Sequence, residues 1–126
     1  MAPQTEEKYV PDEGHVLHLD FGPVVGHEQD GLRFGVVLSP AVLNKSGMCI
    51  IVPMTTRISG HPSEVPIKTF ENGKLGVALS TQITALDWEA REAVYKGRID
   101  KSELFHVRFI VRAATGSIPP GYKPPK

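Results

Sequence analysis

The sequence predicts a mainly β fold: a small, strongly bent barrel or half-open sheet with one helix packed on it near the C-terminus. Three observations predict it. Apolar runs of four to eight residues, rich in β-branched and aromatic side chains, recur between His15 and Ile99 and are broken by Gly, Pro and Asn. A helical apolar period appears after Asp100. A chain of 126 residues fits one domain with a sizeable core.

Taken in order, the first strand falls at His15–Phe21, the second at Phe34–Leu38 and the third at Met48–Met54. The fourth is Glu64–Ile67 and the fifth Gly76–Leu79, with the Asn-Gly pair of Glu71-Asn72-Gly73-Lys74 signalling a tight hairpin turn between them. A sixth lies around Ala93–Ile99. Asp100 then caps a helix whose third residue, Glu103, completes a capping box. Leu104, Val107, Val111 and Ala114 make the apolar stripe, with Phe105 and Phe109 beside it and Arg108 and Arg112 leaving for solvent. The β-branched residues from Val107 to Val111 leave a strand open as the alternative. Residues 1–8 and the Pro-rich 117–126 read as tails around a domain spanning 9–116, because so many prolines sustain neither a helix nor an interior strand.

Composition narrows the function. At 40% apolar and 22% charged, the chain is an ordinary globular one. No apolar run approaches the ~20 residues of a membrane helix, and Met1 to Lys8 lacks the apolar core of a signal peptide, so a cytoplasmic protein without a membrane partner is expected. The single Cys49 excludes an internal disulfide and is expected to pack in the core, while the scattered histidines suggest no metal site. Net charge is zero but unevenly spread. Residues 1–30 carry one lysine against seven acids, a net −6; residues 96–126 carry seven Lys or Arg against two acids, a net +5. Neutrality argues against nonspecific coating of nucleic acid and leaves room for a local cationic groove.

Two polar clusters carry candidate chemistry. Gly26-His27-Glu28-Gln29-Asp30-Gly31-Leu32-Arg33 leads straight into the apolar run from Phe34 to Leu38, placing a carboxylate and a guanidinium just before a strand. Cleavage of RNA by its own 2′-hydroxyl needs that pairing: a base for the sugar hydroxyl and a cation for the charge on the phosphorane. His27 titrates near neutrality and can assist Glu28. The second cluster, Pro53-Met54-Thr55-Thr56-Arg57 with Ser59-Gly60-His61-Pro62-Ser63, puts hydroxyls and a cation at a strand end, where they suit a phosphate oxygen. Taken alone, Thr55 and Thr56 suit better a strand end bonding its own backbone, Glu28 also suits a solvated loop carboxylate, and Arg33 an ion-pair partner or a side chain lying over the sheet. Gln82 can read a base edge or close a turn.

With both clusters in view, the chain resembles the MazF/PemK family of bacterial toxins, the sequence-specific mRNA interferases. The resemblance runs through Tyr9–Phe21, Pro23–Gly31, Val36–Pro40, Pro53–Arg57 and Leu79–Arg91, in the family's order and nearly its spacing. It implies an SH3-like small β-barrel of the CcdB/MazF type with a C-terminal helix, acting as a homodimer. It further implies a metal-independent endoribonuclease without a cofactor, cutting single-stranded RNA at short sequences and blocked by a cognate antitoxin. The family's catalytic arginine falls on Arg33, its threonine on Thr55 and its loop glutamate on Glu28. Its RNA contacts fall on His27 and Gln29, on the segment Thr56, Arg57, Ser59, His61, Pro62 and Ser63, and on Thr81 and Gln82.

One departure stands out: where the family follows its arginine with proline, this chain has Phe34 and Gly35. The change either loosens Arg33 or offers a ring for base stacking. The expected chemistry has Glu28 (or His27) taking the 2′-hydroxyl proton while Arg33 and Thr55 hold the non-bridging oxygens, giving a 2′,3′-cyclic phosphate and a 5′-hydroxyl. Two rivals share the barrel: a noncatalytic RNA- or protein-binding module, and a CcdB-like gyrase poison. The tail Tyr122-Lys123-Pro124-Pro125-Lys126 lacks the tryptophan that such poisons present.

Overall fold

The computed structural model describes residues 8–22, 31–68, 76–116, 121 and 123. The elements run β1 (His15–Asp20), β2 (Leu32–Val37), α1 (Ala41–Asn44), β3 (Met48–Thr55), β4 (Glu64–Ile67), β5 (Gly76–Leu79), β6 (Thr84–Asp87), β7 (Val94–Arg98) and α2 (Lys101–Ala114). The strands form one antiparallel sheet in the order β4-β5-β3-β2-β1-β7, with β6 joined to β3. Strand β3 makes the curl. Its first half pairs with β6, from Met48↔Asp87 to Ile51↔Thr84, and its last two residues pair with β5, Met54↔Ala78 and Thr55↔Val77. One strand passing between partners bends the sheet into a half-barrel.

Successive residues feed two cores. Val16, Val36, Val52, Met54 and Val107 belong to one, against which Leu104, Ile110 and Val111 of α2 pack. Leu17, Leu19, Val37, Ile51 and Trp88 belong to the other. Because side chains alternate across a strand, Val16-Leu17, Val36-Val37 and Ile51-Val52 each serve both. That double burial explains why these strands read as unbroken apolar runs. Cys49 lies in the second core, where burial pushes its thiol up to about 12.

Helix α2 is a helix, not the alternative strand, and its start follows the expected capping box. The Glu103 carboxylate accepts the Asp100 N–H at 3.1 Å and, across the fold, the Lys68 N–H at 2.7 Å, so it also ties the helix to the end of β4. Two details differ from the sequence reading. Arg108 does not leave for solvent: its Nη2 donates to the Leu38 carbonyl at 2.7 Å, just past the end of β2, and pairs with Glu13 at 3.3 Å. Ala114 is exposed, because the helix outruns the core at its last turn. Strand β6 and the one-turn α1 were not expected; each is four residues long, too short to show a period. The Asn72-Gly73 turn lies outside the described residues.

Candidate active site

Arg33 lies inside β2, one residue after the strand begins, rather than in the loop before it. The register settles its direction. The β2–β3 pairing runs from Val37↔Ile51 to Gly35↔Pro53 and ends there, with Arg33 and Thr55 each two residues further along their own strands. Both then project from the face that carries Val37 and Ile51. On the other side Arg33 is paired with Leu19 of β1. Arg33 and Thr55 therefore share one face at the same end, or rim, of the half-barrel, each two residues past the last β2–β3 pair.

Neighbouring packing fixes that rim. A Cβ at Gly35 would lie 2.6 Å from Phe21 Cζ and 2.8 Å from Ile51 Cδ1, so only glycine lets the Phe21 ring close over the sheet beside Arg33. Phe34 turns the opposite way. Its ring packs against the first core and sits 4.9 Å from the His18 ring. This side chain anchors β2 from behind and offers no stacking ring on Arg33's face. Among the described residues, no carboxylate or carbonyl pairs with the Arg33 guanidinium.

The base of the loop that carries Glu28 is also fixed. Phe21 N–H donates to the Gly31 carbonyl at 2.9 Å, Gly22 N–H to Asp20 Oδ1 at 2.9 Å, and Arg91 Nη1 to the Asp20 carbonyl at 2.7 Å. Glu28, His27 and Gln29 lie outside the described residues.

Thr55 is half-buried at the end of β3, and its Oγ1 accepts the Arg57 N–H at 3.1 Å. That bond bends the chain and occupies a lone pair. Among the described residues the Thr55 hydroxyl donates to none, so its proton is available to an incoming oxygen. Thr56, Arg57, Ser59, His61 and Pro62 follow as exposed residues. Ser63 differs: it is buried, and its N–H and hydroxyl meet His61 Nδ1 at 3.1 and 2.8 Å. Since the amide can only donate, Nδ1 accepts, and the His61 ring proton sits on Nε2. Ser63 thus orients His61 instead of facing the rim itself. Its carbonyl accepts the Ser80 N–H at 3.1 Å, which brings the exposed Thr81 and Gln82 beside this loop.

Sequence reasoning missed Glu64. Its carboxylate accepts the Ser59 hydroxyl at 2.7 Å, the Gly60 N–H at 2.9 Å and the Ser59 N–H at 3.2 Å. The Ser59 hydroxyl, helped by these amides, holds the carboxyl below the ordinary range. A Ser-Gly pair shortly before an acidic strand start is the only local signal for it. Among the described residues, no three His, Cys, Asp or Glu side chains gather as a metal ion would require.

Fold and site define a class: a curled antiparallel half-barrel with one helix packed on it, which carries a guanidinium and a hydroxyl on one face at the same end of two neighbouring strands. Such a rim suits a phosphate group in an extended strand of nucleic acid. Residues 12–114 match the profile of the PemK-like, MazF-like toxins of type II toxin-antitoxin systems. The chain belongs to that family. It is 42% identical over 110 residues to the endoribonuclease toxin MazF of Escherichia coli K12, covering 86% of this chain and 97% of that one. Among solved structures, MazF from Deinococcus radiodurans superposes with a TM-score of 0.78 at 38% identity, covering 86% of this chain and 99% of that one. The MazE-MazF complex from the same organism matches at a TM-score of 0.77 and 38% identity, covering 86% of this chain and 98% of its counterpart.

Proposed function

We propose that this chain is the toxin of a type II toxin-antitoxin pair, a metal-independent endoribonuclease that cuts single-stranded mRNA at short sequences. One observation supports the mechanism: strand alternation puts Arg33 and Thr55 on one face, each two residues beyond the Gly35–Pro53 pair. The Glu28 carboxylate, assisted by His27, takes the proton from the 2′-hydroxyl. The freed oxygen bonds to the adjacent phosphorus, and the bond from phosphorus to the 5′-oxygen breaks. The products are a 2′,3′-cyclic phosphate and, once the leaving oxygen is protonated, a 5′-hydroxyl. Arg33 and the Thr55 hydroxyl stabilise the charge that builds on the non-bridging oxygens. An arginine stays protonated at physiological pH, so electrostatic stabilisation is its natural role.

Flanking nucleotides meet His27 and Gln29 on one side. On the other they meet Thr56, Arg57, Ser59, His61 and Pro62, with Ser63 acting through His61, and the turn of Thr81 and Gln82. The enzyme works in the cytoplasm as a homodimer restrained by a cognate antitoxin. Exposed Phe105 and Phe109, 70% and 62% accessible on α2, support a protein partner on that face. The catalytic unit is residues 9–116, with 1–8 and 117–126 as tails; Lys8 pairs with Glu89 at the boundary.

Incubating the purified protein with a long RNA in excess EDTA tests the reading. The expected result is cleavage at a few short sites, each downstream fragment bearing a 5′-hydroxyl. Binding without cleavage would instead indicate the noncatalytic module, and inhibition of gyrase the poison.

A further inference from the structure

The loop from Arg57 to Ser63 is folded around one carboxylate. Glu64 opens β4, half-buried, and reaches back to take both donors of Ser59 and the N–H of Gly60, while its own N–H donates to the His61 carbonyl at 2.9 Å. Gly60 turns there at φ +85, in the left-handed region. Arg57 and His61 are exposed along with the rest of residues 56–62, and of these side chains they are the two that can carry positive charge. The Ser63–Ser80 backbone bond then fixes this loop relative to Thr81 and Gln82.

Resting on the endoribonuclease reading, we propose that Glu64 is a positioning residue for RNA recognition: its carboxylate holds the Arg57–Ser63 loop in the one conformation that presents Arg57 and His61 to the bases flanking the cut. A carboxylate fits the position best: both oxygens accept, and the Ser59 and Gly60 amides and the Ser59 hydroxyl all donate to it. A glutamine could keep its oxygen on the two amides, but its N–H₂ would force the Ser59 hydroxyl to reverse and accept, and the charge assistance of all these bonds would be lost. Arg33 and Thr55 stand on β2 and β3, and Thr55 meets the loop at the Arg57 N–H, ahead of the Ser59 and Gly60 groups that Glu64 holds. Loss of Glu64 therefore alters which sequences bind, and how tightly, more than the chemical step.

The experiment compares the full chain with its Glu64→Gln and Glu64→Asp variants on two probes. One is a long mixed-sequence RNA with cut sites mapped by primer extension; the other is an oligonucleotide carrying the strongest wild-type site. Glu64→Gln is expected to raise KM roughly tenfold, the effect of losing a charge-assisted hydrogen bond, with kcat within about twofold and a widened set of cut sites. Glu64→Asp, which keeps the charge, is expected to fall between the two and serves if the glutamine variant does not fold. An unchanged KM, an unchanged cut map, or a fall in kcat at constant KM overturns the proposal. If the wild-type chain cuts neither RNA, the nuclease reading itself fails; if wild type cuts and the variants match it, only the role of Glu64 fails.

Discussion

Arg33→Ala lowers the single-turnover rate of RNA cleavage by about 10³-fold, the scale seen when an arginine is removed from a developing phosphorane. The charge that grows on the non-bridging oxygens then loses the only cation that β2 supplies to the rim. Folding is expected to survive, because the guanidinium makes no ion pair or hydrogen bond to the described residues. The thermal midpoint should therefore stay within about 2 °C of wild type, as for a surface substitution with no lost partner. Arg33→Lys restores charge without the planar fork and is expected to recover only part of the rate. A rate within tenfold of wild type for the alanine variant would remove Arg33 from the chemistry.

Asn44→Ala is expected to be the most destabilising of the polar substitutions. Asn44 is fully buried at the end of α1, and its side chain joins three separate segments. Nδ2 donates to the Pro11 carbonyl at 2.8 Å and to the Ser39 carbonyl at 2.9 Å, while Oδ1 accepts the Ser39 hydroxyl at 2.6 Å. The Ser39 oxygen in turn accepts the Ile50 N–H of β3 at 2.8 Å, and the Asn44 carbonyl accepts Trp88 Nε1 at 2.9 Å. Truncation strands buried partners on the segment before β1, on the end of β2 and on their link to β3. Each such group costs about 1–3 kcal/mol, so a loss of about 3 kcal/mol is expected, seen as a lower urea midpoint at unchanged slope. Cleavage per folded molecule should not change, since Asn44 lies away from the rim. A loss below about 1 kcal/mol would show that water satisfies these groups.

Much of this was legible in the sequence because the physics is local. The first, third, fourth, fifth and last strands announce themselves as short apolar, β-branched runs, and α2 through Asp100 and Glu103. The apolar pattern predicts a second strand from Phe34, yet the strand begins at Leu32. That shift of two residues moves Arg33 from a loop onto a ladder. Nothing local signals it, since the strand edge is set by pairing with Asp20 and Leu19 of β1. The same limit hid Arg108, whose partner Leu38 lies seventy residues away in the chain. It hid Ser63 as well: a serine in a polar loop reads as a surface donor until Ser80 and His61 close over it. Glu64 looked like a strand's first charged residue, because its partners come from a turn whose shape composition does not encode.

The family's arginine and threonine are recognisable through short motifs, whereas their sharing one face at the same end of the sheet follows from strand alternation and register. Whether they act on one phosphate is what a double-mutant cycle measures most directly. Cleavage rates of wild type, Arg33→Ala, Thr55→Val and the double variant are compared on one oligonucleotide under single-turnover conditions. If guanidinium and hydroxyl grip the same phosphate, Thr55→Val alone costs about 10²-fold, yet adds less than about threefold on top of Arg33→Ala. A double variant slower by the full product of the two single losses would mean that the two groups act apart, and would contradict the shared rim.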